Sequence, residues 1–132
     1  MTPGDIDRTD VRCEVEALFH AYERALMAND VAALNDLFWR DPRVTRYGMA
    51  DVQLGHGALM AFRAAVPAPD FTRELQRVRI SSFGNHFAVS MCEFVRSDTP
   101  KLGLQTQTWV RFPQGWKIVS AHVSMIDTPT EP

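Results

Sequence analysis

A chain of 132 residues has the length of one domain and can bury a core of its own, so neither a disulfide framework nor a structural metal is needed to hold it together. Hydrophobic residues at 45%, charged residues at 23% and a formal net charge of -2 are ordinary globular values, and they exclude a surface that attracts polyanions by net charge, so nucleic acid is not an expected partner. No apolar run approaches the roughly 20 residues that cross a bilayer, Met1–Asp10 is polar and acidic, and Cys13 and Cys92 are isolated, which together predict a reduced, cytoplasmic protein without membrane contact.

Residues 1–9 carry Pro and Gly without periodicity and 128–132 read the same way, predicting flexible tails around a single domain over 10–127. From Asp10, an expected N-cap, the apolar positions Val11, Val15, Leu18, Phe19, Tyr22 and Leu26 recur at helical spacing. Ala28-Asn29-Asp30 interrupts that pattern, and Asp30 caps a second helix over Val31–Phe38, with Leu34, Leu37 and Phe38 buried and Pro42 closing the segment. Val44–Gly48 reads as a short strand. A loop then reaches Gly55-His56-Gly57, and a third helix covers Ala58–Val66 until Pro67 and Pro69 stop it.

Phe71–Phe83, His86–Arg96, Leu102–Phe112 and Trp116–Met125 are rich in Val, Ile, Phe, Thr and Trp, and Gly84-Asn85, Ser97–Lys101 and Pro113-Gln114-Gly115 separate them. They predict an antiparallel meander of long strands. Such strands twist, so the expected architecture is α+β, with three N-terminal helices packed on the concave face of a curved antiparallel sheet. Apolar residues on both faces of that sheet leave one face to cover. Val119, Ala121, Val123 and Met125, alternating opposite His122, are the expected contact of a homodimer or higher homo-oligomer.

The chemistry-bearing residues are scattered. His20, His56, His86 and His122 have none of the paired spacings of a zinc site, and neither cysteine has a nearby partner, so no metal is expected. No G-x-S-x-G elbow, Walker loop or dinucleotide fingerprint is present, and no cofactor is expected either. Of 14 basic residues only Lys101 and Lys117 are lysines; the arginine excess fits either anion recognition by planar forks or a GC-rich genome. Tyr22 sits in the apolar stripe of the first helix and must turn its hydroxyl inward, either to a backbone carbonyl in the core or into a pocket as a proton donor. Arg46 shares a strand face with Val44 and Gly48. That face is either inward, with the guanidinium waiting for a carboxylate, or outward in a surface ion pair. His122, on a strand with Trp116, Ile118, Ser120 and Ser124, belongs to a pocket wall or an interface. Trp109 and Arg73 are further substrate-binding candidates, with core packing and solvation as their plainer roles. Cys92 reads as an inert buried thiol. Asp51 and His56 form a possible acid/base pair across a loop, or shape that loop and cap the third helix.

The order helix, helix, short strand, helix, four long strands, closing on Phe112-Pro113-Gln114-Gly115-Trp116-Lys117-Ile118, resembles the SnoaL-like, nuclear-transport-factor-2-like superfamily of cone-shaped domains. More narrowly, Glu14-Val15-Glu16-Ala17-Leu18-Phe19, Asp36-Leu37-Phe38-Trp39, Arg46-Tyr47-Gly48 and Gly55-His56 resemble the AtzH-like family. That resemblance implies a small anionic ureido substrate and a place beside amidases in the catabolism of nitrogen-rich compounds such as cyanuric acid. The implied reaction is a decarboxylating amide hydrolysis that converts 1,3-dicarboxyurea to allophanate, with Arg46 holding a carboxylate and Tyr22 donating a proton. A non-catalytic dimeric accessory or ligand-binding subunit of an amidase fits the same sequence. So does an isomerase or dehydratase acting through His122.

Overall fold

Each helix forms where its apolar stripe and its stop signal predict, in a computed structural model that describes residues 1–128. Helix α1 (Thr9–Ala28) buries Val11, Val15, Phe19 and Tyr22, three to four residues apart, and ends at Asn29 in the left-handed region, where Asn is tolerated. The Asp30 carboxylate accepts from the Ala33 amide at 3.1 Å and starts α2 (Val31–Leu37). Strand β1 (Thr45–Tyr47) folds back on β2 (Val52–Leu54), helix α3 (His56–Ala65) follows, and the long strands are β3 (Arg73–Phe83), β4 (Phe87–Arg96), β5 (Leu102–Phe112) and β6 (Gly115–Ile126). Among the described residues no helix is long and apolar enough to cross a membrane.

The three helices and four long strands are present, but the sheet is not the curved, wholly antiparallel meander expected. It is an open six-stranded sheet in the order β2-β1-β6-β5-β4-β3, and β1 runs parallel to β6. The pairing of β4 with β5 runs without a register shift, and irregularities are confined to two places, between Gln76 and Arg79 and between Thr108 and Trp109. The sheet is therefore not strongly curled. Long strands and tight turns impose twist, whereas a sharp bend needs bulges or glycine kinks repeated along it. The short β1–β2 hairpin, of which only β1 was expected, extends the sheet sideways instead.

The irregularity in β6 changes which residues face the core. Thr108 pairs with Ser120 and Trp109 with Ile118, so Val119 is an extra residue and the alternation changes phase there. Trp116 and Ile118 point inward before it, and Ala121 and Val123 point inward after it. Ser120 and His122 are exposed on the opposite face. Ala121 and Val123 thus belong to the interior, not to the expected intersubunit contact.

Residues 1–9, read as a loose tail, make defined contacts: Ile6 bridges to Phe83, the Asp7 amide donates to the Ser82 carbonyl at 2.9 Å, and the Ser82 amide donates to the Asp7 carboxylate at 2.9 Å. They cover the end of the edge strand β3, whose backbone would otherwise be unpaired. The C-terminal tail expected over 128–132 lies, beyond Thr128, outside the described residues. The core between α1 and the sheet is built on Phe19, Phe38, Trp109 and Ile118.

Candidate functional site

A cavity of about 420 Å³ opens between α1, α3, the 66–71 loop and the inner face of the sheet. That is room for a small organic ligand. Its walls carry four arginines, Arg46, Arg63, Arg73 and Arg96, together with Tyr22, Asp51 and the exposed Asp70.

Strand alternation in β1 turns Val44 and Arg46 inward and leaves Tyr47 48% exposed, which settles the face that the sequence left open. Arg46 is only 8% exposed. Its Nη1 donates to Asp51 Oδ1 at 2.8 Å and to Gln53 Oε1 at 2.9 Å, and Gln53 Nε2 donates to the same Asp51 oxygen at 2.9 Å. The guanidinium lies 4.7 Å from the Phe62 ring centroid, and its Nε is buried without an acceptor. Burial pushes the Arg46 pKa below the usual arginine value; Tyr22 acts to raise it and the neighbouring Arg63 lowers it further. An arginine keeps its charge under such a shift.

Tyr22 is 3% exposed, with its ring edge-on to Phe38, and its hydroxyl oxygen accepts a hydrogen bond from Arg63 Nη2 at 3.0 Å. Arg63 itself is 6% exposed, and its Nε is also buried without a partner. Orphaned buried donors cost roughly 1–3 kcal/mol each. Finding two of them on arginines of one cavity marks that cavity as built for something other than the stability of the empty fold.

Arg73 also reaches the cavity, but its bonds are committed: Nε donates to Glu23 Oε1 at 2.9 Å, Nη2 donates to Gln105 Oε1 at 3.0 Å, and the group stacks 3.8 Å from the Phe94 centroid. Arg96 is similarly paired with Asp98 and lies 3.6 Å from the Phe71 centroid, holding the loop at the mouth. The structure therefore brings Tyr22, Arg46 and Arg73 together.

Trp109 and His122 are placed elsewhere. Trp109 is fully buried and donates from Nε1 to Ser90 Oγ at 2.9 Å, and that hydroxyl donates in turn to Gln107 Oε1 at 3.2 Å; it is core packing. His122 stands on the outer face, edge-on to Tyr47 at 5.9 Å, because the extra residue at Val119 reverses the phase of β6. Asp51 and His56 do not pair: Asp51 clamps Arg46, while His56 Nε2 lies 2.9 Å from the Asn35 carbonyl oxygen. Burial pushes the Cys92 thiol up to about 11, as suits an inert cysteine. Among the described residues no group of His, Cys, Asp or Glu is placed to hold a metal.

Gln53 and Arg63 are the residues of this site that sequence reasoning missed, and Asp51, expected beside His56 or as a shaper of its loop, is instead the partner of Arg46. Signals for Gln53 and Arg63 exist: the alternation Val52-Gln53-Leu54, which marks a second strand, and the four-residue step from Leu59 to Arg63, which puts an arginine on the buried face of α3.

Three helices on a mixed six-stranded sheet, with a ligand-sized cavity between them, define a nuclear-transport-factor-2-like domain. A protein of that description from Pseudomonas putida superposes with a TM-score of 0.76 at 16% identity, over 89% of this chain and 87% of its own. The chain belongs to the AtzH-like family, which matches residues 4–129. It is also similar to a crystal structure of a DUF3225-family protein from Pectobacterium atrosepticum, with 43% identity and a TM-score of 0.93 over 96% of this chain and 99% of that one. A cystatin-like fold protein from Burkholderia xenovorans is 45% identical, with a TM-score of 0.91 over 94% of this chain and 98% of that one. No curated protein matches.

Proposed function

We propose that this domain is a ligand-binding subunit whose cavity holds a small, planar, ureido-type anion, acting beside an amidase as part of a homodimer or higher homo-oligomer. The carrying observation is the charge balance of the cavity. Asp51, Glu23 and Asp98 pair with Arg46, Arg73 and Arg96, and no carboxylate among the described residues lies within 4.0 Å of Arg63. The remaining lining carboxylate, Asp70, is exposed on the 66–71 loop, so the buried guanidinium of Arg63 is left for a ligand to neutralise, and guanidinium forks match carboxylates in shape. Calorimetric titration with malonate and with freshly generated 1,3-dicarboxyurea tests this. Binding that is lost in Arg46→Ala supports it, and the absence of binding to either compound by the native protein defeats it.

A catalytic reading rests on one further feature, the Tyr22 hydroxyl whose oxygen accepts from Arg63 and whose own proton is uncommitted. In 1,3-dicarboxyurea the carbon–nitrogen bond to one carboxylate breaks and CO2 departs. The electron pair stays on nitrogen, the Tyr22 proton joins it, and the phenolate recovers a proton from solvent. Arg46 holds the other carboxylate. Allophanate formation above the spontaneous rate, followed by mass spectrometry and abolished in Tyr22→Phe, separates an enzyme from a binding subunit. An isomerase or dehydratase working through His122 lacks support, since that ring is on the face away from the cavity.

A further inference from the structure

Arg63 holds the one cavity guanidinium with no acid beside it, and its single side-chain hydrogen bond among the described residues goes to Tyr22 Oη at 3.0 Å. The direction of that bond is fixed, because a guanidinium only donates. The phenolic oxygen must therefore turn a lone pair to Arg63, and the phenolic hydrogen must point elsewhere. The next cation in the cavity, Arg46, is likewise donor-only, with Nη1 held by Asp51 and Gln53, so it cannot take that hydrogen. Among the described residues no other side-chain bond engages Tyr22. What remains for its O–H is the cavity.

Resting on the anion-binding reading above, we infer that Arg63 is the positioning residue that fixes Tyr22 as a hydrogen-bond donor to the bound ligand, so that the pocket selects anions carrying a second acceptor besides the carboxylate held by Arg46. Helix α3 supplies the rigidity for this: Leu59, one turn before Arg63, is buried in the core, and Phe62 packs against both guanidinium groups, 4.7 Å from Arg46 and 5.6 Å from Arg63. Arg63 need not touch the ligand to act, since it determines what Tyr22 presents.

The test is a double-mutant cycle on the full chain, with binding of malonate, which has a second acceptor, compared with binding of acetate, which has none. Arg63→Met is expected to weaken malonate binding about tenfold or more, as befits loss of a charge-assisted bond, while acetate binding falls by less than about threefold. In a Tyr22→Phe background the same substitution should cost malonate no more than about twofold, because the hydroxyl it orients is already gone. Arg63→Lys, which keeps a cation and a donor, should recover part of the malonate preference; it also carries the cycle if circular dichroism shows Arg63→Met to be unfolded. Equal losses for the two anions, or losses from Arg63 and Tyr22 that multiply in the double variant, would overturn the inference and leave Arg63 as bulk charge. Native protein that binds malonate with Arg63→Met binding it equally well defeats this inference alone. Native protein that binds neither anion defeats the anion-binding reading and the inference with it.

Discussion

The Arg46 clamp depends on the absence of a side chain two residues away. A Cβ on Gly48 would stand 2.3 Å from Asp51 Oδ1 and 2.8 Å from Arg46 Nη1, so Gly48→Ala must push the ion pair aside. We expect that variant to lower malonate affinity about tenfold or more, in keeping with the cost of misplacing a binding group by an ångström, with a thermal midpoint close to native. Calorimetry beside a melting curve checks both parts. Cys92 makes a second residue-level case. Burial pushes its thiol up to about 11, with Arg73 opposing, whereas in the unfolded chain it titrates near the ordinary value of about 8.5. Between those two values the unfolded state binds fewer protons than the native one, so stability contributed by this group falls as pH rises through that window. Denaturant melts from pH 8 to 11 should therefore show a steeper decline for the native protein than for Cys92→Ala, and a thiol reagent at pH 8 should label exposed Cys13 well before Cys92. Tyr22 and Arg46 were legible because each breaks an otherwise apolar pattern. Gln53 and Arg63 were not, and Asp51 was singled out without its true partner, because their roles arise from contacts between elements, which spacing within an element does not reveal.

Elements were legible to within a few residues where a breaker or a cap marked them, as Asp30 does for α2 and Pro113-Gln114-Gly115 does for the last turn. Phase within a strand was less accessible. A period of two assigns every β6 residue to a face, but the extra residue at Val119 leaves no mark in composition, and a single inserted residue moves Ser120, His122 and everything beyond them to the other side. The same limit hid the close pairing of Gly103 with Phe94 across β5 and β4. There the Phe94 ring lies over the glycine, where a new Cβ would meet ring carbon at 2.1 Å, and the Arg73 guanidinium stacks 3.8 Å from the centroid of the same ring. Gly103→Ala should therefore cost on the order of 1–3 kcal/mol of stability, the usual penalty for overpacking. It should also perturb the cavity wall through Arg73. Chemical denaturation monitors the first effect, and a loss of malonate affinity at temperatures where the variant is fully folded monitors the second.

At the scale of the whole molecule, the helices cover only one face of the sheet. The other face carries Tyr47, Val52, Leu54, Met91 and Val95, of which Leu54 is 63% and Met91 49% exposed. The alternation of β4 puts Met91 and Val95 opposite the buried Ala88, Ser90, Cys92 and Phe94, and β1 and β2 turn Tyr47, Val52 and Leu54 opposite the buried Arg46 and Gln53. These residues thus share a surface, with His122 edge-on to Tyr47 near its middle. Apolar side chains exposed on three strands of one face are expensive to leave in water and are the reason to expect self-association. The residues that carry it differ from those the sequence pattern nominated, since Ala121 and Val123 are interior. For a chain of 14.9 kDa, sedimentation equilibrium at micromolar concentration should give twice that mass or more. Met91→Asp, which places a charge on that surface without touching the cavity, should return the mass to that of one chain while leaving malonate affinity within about twofold of native. A native protein that sediments as a single chain would leave this face free for a different partner, and copurification with an amidase, disrupted by the same substitution, would then be the expected result.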